Sequence, residues 1–140
     1  SIYQGGIAVP LIVSGKGVSR IGVRDTNLIN STDLFTTIAQ IAGINVNEYE
    51  NSKSFYPLLT QATSNNRTFN YSEVLNDSPT KSGYTIRDNT YKLLVLDNGT
   101  ERFYNLNQDP YETNNIINNL SNEEQVAYNN LKTEVNLIRE

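Results

Sequence analysis

The chain has 140 residues, of which 37% are hydrophobic and 19% charged, and a formal net charge of -4 at pH 7. That length fits one domain, or one small domain with a piece of another, and suffices to bury a core. Cys, His, Trp and Met are all absent, which excludes disulfides, a thiol nucleophile, thiolate or imidazole zinc sites and a Ser-His-Asp triad. The acidic balance speaks against nucleic acid or an anionic membrane as partner. No apolar run reaches the roughly 18 residues that span a bilayer, so the sequence reads as soluble. The first residues lack the basic and apolar regions of a signal peptide. With no Met anywhere, the chain reads as a fragment or a processed piece.

Ile7-Ala8-Val9-Pro10-Leu11-Ile12-Val13 is a short apolar run rich in β-branched residues. It predicts a buried strand with an edge or bulge at Pro10, after a tight turn at Gly5-Gly6. A helix is expected over 32–42. Asn30, Ser31 and Thr32 are its N-cap candidates, Asp33 suits the dipole of its first turn, and Gly43 is a natural stop. Leu34, Ile38 and Ile41, with Phe35 and Ala42 beside them, make one apolar face. Residues 44–66 are mostly polar, apart from the apolar turn Ser54-Phe55-Tyr56-Pro57-Leu58-Leu59. Gln61 through Arg67 reads as a linker, dividing the chain into 1–60 and 67–140.

Beyond the linker the pattern changes to strands, near 68–75, 84–87, 91–96 and 102–106. Asn98-Gly99 predicts a two-residue type I′ hairpin between the last two. Ser121-Asn122-Glu123-Glu124 is a capping box that opens a final helix. Tyr128, Leu131, Val135 and Ile138 form its apolar stripe, suited to closing one face of the sheet. The expected class is α+β: an antiparallel sheet of three or four strands packed by a C-terminal helix, preceded by the last strand and helix of a larger α/β domain.

Motifs that carry chemistry are sparse. Ser14-Gly15-Lys16-Gly17 fails the phosphate-loop pattern, and Asp97-Asn98-Gly99 lacks the further acidic residues of a calcium loop. Ser78-Pro79-Thr80-Lys81 matches S-x-x-K without its companion motifs. Six N-x-S/T triplets stand against roughly four expected by chance, among 21 Asn residues. Arg87 and Lys92, on adjacent expected strands, either converge on an anion or are solvated edge charges. Asp109-Pro110-Tyr111-Glu112-Thr113-Asn114-Asn115 is a turn-forming loop.

The segments, in order, resemble the C-terminal portion of sulfatases, the arylsulfatase-like hydrolases of the alkaline phosphatase superfamily. Tyr3-Gln4-Gly5-Gly6-Ile7-Ala8-Val9-Pro10-Leu11-Ile12-Val13 resembles the family's YEGG-I-R-VP-LIV stretch. Asn30-Ser31-Thr32-Asp33-Leu34-Phe35-Thr36-Thr37-Ile38 resembles its DLFPTLL helix, and Ala42-Gly43-Ile44 the AGI that ends it. Ser54 to Leu59 is similar to its SL-x-PLL segment. Ile86-Arg87 with Tyr91-Lys92-Leu93 resembles IR…YKLI. Phe103-Tyr104-Asn105-Leu106 with Asp109-Pro110, Glu112 and Asn114-Asn115 resembles LYDL…DP-x-E-x-xN. Gln4 stands for the usual Glu, Ala8 for Arg, Thr36 for Pro and Ser52 for Gly.

The resemblance implies that 1–60 ends a catalytic α/β domain and that 67–140 is a C-terminal subdomain beside its substrate pocket. Tyr3, Gln4, Arg87 and Lys92 are then pocket candidates, and no catalytic or metal-binding residue falls in this chain. The whole enzyme would cleave a sulfate ester with calcium and a formylglycine nucleophile, both carried by the part preceding Ser1, and would be periplasmic or secreted. The partners implied are that missing catalytic part, or a second copy docked through exposed apolar surface. Two other readings stay open: a self-contained binding module using its nine Tyr residues to stack on sugars, and a phosphate or phosphonate ester hydrolase of the same superfamily.

Overall fold

The computed structural model describes residues 1–46, 49–63 and 67–140. Ser64, Asn65 and Asn66, within the expected linker and including the Asn of one N-x-S/T triplet, lie outside the described residues. Two compact units are present, one made of Ser1–Val9 with Phe69–Glu140 and the other of Pro10–Thr68.

The first unit carries a four-stranded antiparallel sheet in the order β1-β2-β3-β4, with β1 Asn70–Val74, β2 Gly83–Arg87, β3 Tyr91–Leu96 and β4 Glu101–Asn105. Side chains alternate across its faces. Ile86, Tyr91, Leu93 and Phe103 share one face and bury against Leu131 and Val135 of the C-terminal helix, Asn122–Arg139. Tyr91 and Phe103 stack with ring centroids 5.5 Å apart, and Tyr128 meets Phe103 edge-on at 5.6 Å. The expected capping box is formed: the Ser121 hydroxyl accepts from Glu124 N–H and the Glu124 carboxylate from Ser121 N–H. The β4 edge is covered, because Ile116 N–H donates to Phe103 C=O and the Asn115 side chain accepts from Phe103 N–H. A covered edge cannot recruit another strand.

The β3–β4 connection differs from the expected type I′ turn. Gly99 N–H donates to Leu96 C=O and Leu96 N–H to Thr100 C=O, so the loop spans three residues, Asp97 to Gly99. Only Gly99 is left-handed, with φ +84°, and Asn98 is not. This is the three-residue alternative, a turn followed by a left-handed glycine. A second glycine is fixed by crowding: a Cβ on Gly83 would stand 2.2 Å from the Val95 carbonyl oxygen across the β2–β3 ladder.

The expected strand over 7–13 is not formed. Gln4–Ile7 is a four-residue helical turn, α1, which takes up the Gly5-Gly6 turn, and Val9, Leu11, Ile12 and Val13 are exposed. A strand exists only where a neighbour takes its N–H and C=O groups, and among the described residues none pairs with this segment.

In the second unit the expected helix runs Asp33–Ile41, here α2; the C-terminal helix is α3. It ends in a Schellman pattern, with Gly43 N–H donating to Gln40 C=O and Ile44 N–H to Ala39 C=O. Its buried face is polar. Asp33, Thr36 and Thr37 are buried, whereas Leu34, Phe35, Ile38 and Ile41 are exposed, Ile38 at 60%. The Asp33 carboxylate accepts from Asn30 N–H at 2.7 Å, Lys53 N–H at 2.8 Å and the Arg67 guanidinium at 2.5 and 2.7 Å. The Thr37 hydroxyl donates to Asp33 C=O and accepts from Phe55 N–H. Thr36 N–H donates to the Ser52 hydroxyl at 3.3 Å, joining two positions that depart from the sulfatase pattern. The buried side chains of Asp33, Thr36 and Thr37 thus each find a partner, as burial demands. No helix among the described residues is long and apolar enough to cross a membrane.

Two outcomes follow from this packing. Gly83→Ala should cost about 3 kcal/mol in urea unfolding through the clash across β2–β3; an unchanged midpoint would contradict the register. Asp25 is held at a pKa of about 2 by Asn27 N–H first and then the Arg20 guanidinium. Its stabilising effect is present above the unfolded value and lost as pH falls from 3.8 towards 2. A carboxyl NMR titration should give a midpoint near 2, moving up in Arg20→Gln; a midpoint unmoved by that change would contradict the contact.

Candidate functional site

The sheet face turned away from α3 carries Arg87 and Lys92, which sit directly opposite each other in the β2–β3 register, and Tyr104 opposite Lys92 on β4. Lys92 lies within the apolar run Tyr91-Lys92-Leu93-Leu94-Val95-Leu96, and strand alternation aims it away from the Tyr91–Leu93 core. It is not solvated: its exposure is 0%. A buried ammonium needs a counter-charge and full hydrogen bonding.

Glu112 supplies the counter-charge and Ile2 C=O a hydrogen-bond acceptor. Glu112 Oε1 lies 2.5 Å from Lys92 Nζ, and Lys92 Nζ also donates to Ile2 C=O at 2.7 Å. Glu112 Oε2 accepts from Gln4 N–H at 2.5 Å. Burial pushes the Lys92 ammonium below the ordinary lysine range and nearby Arg87 adds to that, while hydrogen bonding and charge from Glu112 act upward. Glu112 takes a left-handed φ of +57°, in a loop whose Asp109 carboxylate accepts from Asn114 N–H and the Thr113 hydroxyl.

Tyr3 completes the cluster. Its hydroxyl accepts from Arg102 Nη1 at 2.6 Å, and its ring centroid lies 5.8 Å from Lys92 Nζ and 5.9 Å from the Arg102 guanidinium carbon. Tyr104 is buried beside Arg102, and burial raises its phenol above the usual range. Arg87 is half-buried; its Nε donates to Asp88 C=O and its Nη2 to Asn89 C=O. Tyr3 and Gln4 are half-buried, and Gly5 and Gly6 are exposed.

All four candidates from the sequence therefore lie in one unit. Lys92 and Tyr3 meet directly, Gln4 joins through its backbone, and Arg87 adjoins Lys92 across the ladder. Of the two readings of Arg87 and Lys92, solvated edge charges fails for Lys92, because the anion it meets is the chain's own Glu112. Sequence reasoning missed Glu112 as that anion and Arg102 as the partner of Tyr3. One signal was available: Lys92 shares its strand face with Leu94 and Leu96, which marks it for burial, and a buried lysine requires an acid.

The cluster can bind, orient and hold charge, but it offers no nucleophile. Among the described residues no three His, Cys, Asp or Glu side chains gather to hold a metal ion, and the sequence contains no C/S-x-P-x-R motif of the kind that yields formylglycine. The lysine and arginine side chains gathered in this cluster are not ligands for calcium.

A family model described as N-sulphoglucosamine sulphohydrolase, C-terminal, matches residues 1–140. Arylsulfatase K of Xenopus laevis is 25% identical over 127 residues, covering 83% of this chain and 24% of that protein. Human arylsulfatase K is 25% identical over 126 residues, covering 83% and 23%. The solved structure of a 2-O GAG sulfatase superposes with a TM-score of 0.72 at 21% identity, over 90% of this chain and 28% of that one. The chain thus spans about a quarter of the length of the curated relatives it matches. The fold described above is shared with that sulfatase structure.

Removing one member of the buried pair strands the other. Glu112→Gln and Lys92→Met should each cost about 3–5 kcal/mol in denaturant unfolding, and Lys92→Met with Glu112→Leu should cost less than either alone. Additive losses would show that the two side chains are not coupled.

Proposed function

The chain belongs to the N-sulphoglucosamine sulphohydrolase C-terminal family and is the C-terminal part of a sulfatase-like hydrolase, and on that premise we propose that the whole protein hydrolyses sulfate esters or sulfamates of sugars. The family match along the entire chain is the observation that carries this reading. The substrate class draws on the 2-O GAG sulfatase and on a second structural neighbour, TM-score 0.63, solved with its substrate D-glucosamine-2-N,6-O-disulfate.

In this proposal residues 1–60 end the catalytic domain and 67–140 form the subdomain beside its pocket. Tyr3, Gln4, Arg87 and Lys92 belong to the wall of that pocket, Tyr3 and Gln4 towards substrate and Lys92 behind them. The nucleophile and the calcium ligands reside in the part preceding Ser1, which also covers the exposed faces of Leu34, Phe35, Ile38 and Ile41 and of residues 9–13. Apolar patches of this kind mark interaction surfaces. A covering element of the same protein accounts for them without a second copy. The proposed location is the periplasm or the cell exterior, in keeping with the sulfatase reading.

The test is an assay of the whole protein and of residues 1–140 alone, with calcium, on an aryl sulfate and on sulfated glucosamine. The whole protein should release sulfate and the isolated chain should match buffer. Cleavage of phosphate esters without sulfate esters, or turnover by the isolated chain, would overturn the reading.

A further inference from the structure

The Lys92–Glu112 pair stands apart from the hydrophobic core of the sheet that carries it. The hydrophobic core lies on the opposite face, among Ile86, Leu93, Phe103, Leu131 and Val135. A buried ion pair is weak evidence for stability, since apolar residues of similar volume often do as well. The remaining hydrogen bonds of this pair go far along the chain. Lys92 donates to the carbonyl of Ile2, ninety residues away, and Glu112 accepts from the amide of Gln4, 108 residues away.

From this we infer that Lys92 and Glu112 are positioning residues: together they clamp the Ile2–Gln4 backbone and thereby set where Tyr3 and Gln4 stand. The two backbone groups flank Tyr3, so one residue is held between a fixed carbonyl and a fixed amide. Arg102 holds the end of the same side chain through the Tyr3 hydroxyl. Three anchors from β3, β4 and the loop after β4 thus converge on three consecutive residues. The left-handed backbone at Glu112 (φ +57°) fits this role, because such a conformation persists only where surrounding contacts over-determine it. The clamp leaves the Gln4 side chain half-exposed on a fixed backbone, which is what a group that meets a ligand requires.

The consequence for turnover rests on the sulfatase reading; the clamp itself does not. The experiment uses the whole protein and its Lys92→Met/Glu112→Leu double variant, with Val135→Ala as a variant destabilised elsewhere. Hydrogen exchange of the amides of residues 3–7 should speed up at least tenfold in the double variant and stay within twofold in Val135→Ala. Unchanged exchange in the double variant, or equal acceleration in both variants, would overturn the clamp. In steady-state kinetics on the sulfate ester, the double variant should lose at least tenfold in kcat/KM, chiefly through KM, while Val135→Ala retains both constants. Wild-type kcat and KM in the double variant would overturn the positioning role. A whole protein that cleaves no sulfate ester would overturn the proposed function instead, and the exchange result would still decide the clamp.

Discussion

A lysine with no exposure, paired to one glutamate, organises the sheet unit of this protein. Lys92 cannot be left alone in a dry interior, because the desolvation of an ammonium exceeds anything packing returns. That constraint requires Glu112 to face it, which in turn shapes the loop after β4, with its Asp109 turn and its left-handed Glu112. The surplus hydrogen-bonding capacity of both partners then reaches Ile2 and Gln4. The first nine residues join this unit in spite of the long stretch of sequence between them and β1.

The other unit solves a similar problem with the opposite polarity. Asp33 is buried at the start of α2 and gathers Asn30, Lys53 and Arg67 around its carboxylate, while Thr36 and Thr37 bond to Ser52, Asp33 and Phe55. The polar side of the helix is thereby consumed inside the unit, and its apolar side faces outward. An amphipathic helix normally buries its apolar stripe. The inversion is intelligible when the apolar stripe belongs to an interface with the rest of a larger protein, in keeping with a chain that covers about a quarter of its curated relatives.

Local signals in the sequence revealed most of the sheet unit. The capping box at Ser121, the stripe Leu131–Val135 and the hairpin near Asn98-Gly99 are short-range patterns whose physics is contained in a few neighbouring residues. The helix at Asp33–Ile41 was equally legible, down to its glycine stop. Two features were not. The apolar run 7–13 has the composition of a strand, but strands are made by partners, and no described residue provides one. The Lys92–Glu112 contact joins residues twenty positions apart in sequence, which no periodicity encodes; only the rule that a buried cation needs an anion pointed to it. The order of the sulfatase-like segments carried the family where composition alone stopped at an acidic α+β piece.

A crystal structure of the whole protein tests the central claim most directly. It should show Lys92 Nζ bonded to Ile2 C=O and paired with Glu112, Tyr3 and Gln4 at the wall of a pocket, and Leu34, Phe35, Ile38 and Ile41 covered by residues that precede Ser1. A structure in which Lys92 and Glu112 are apart, or in which that helix face remains open to solvent, would contradict the account.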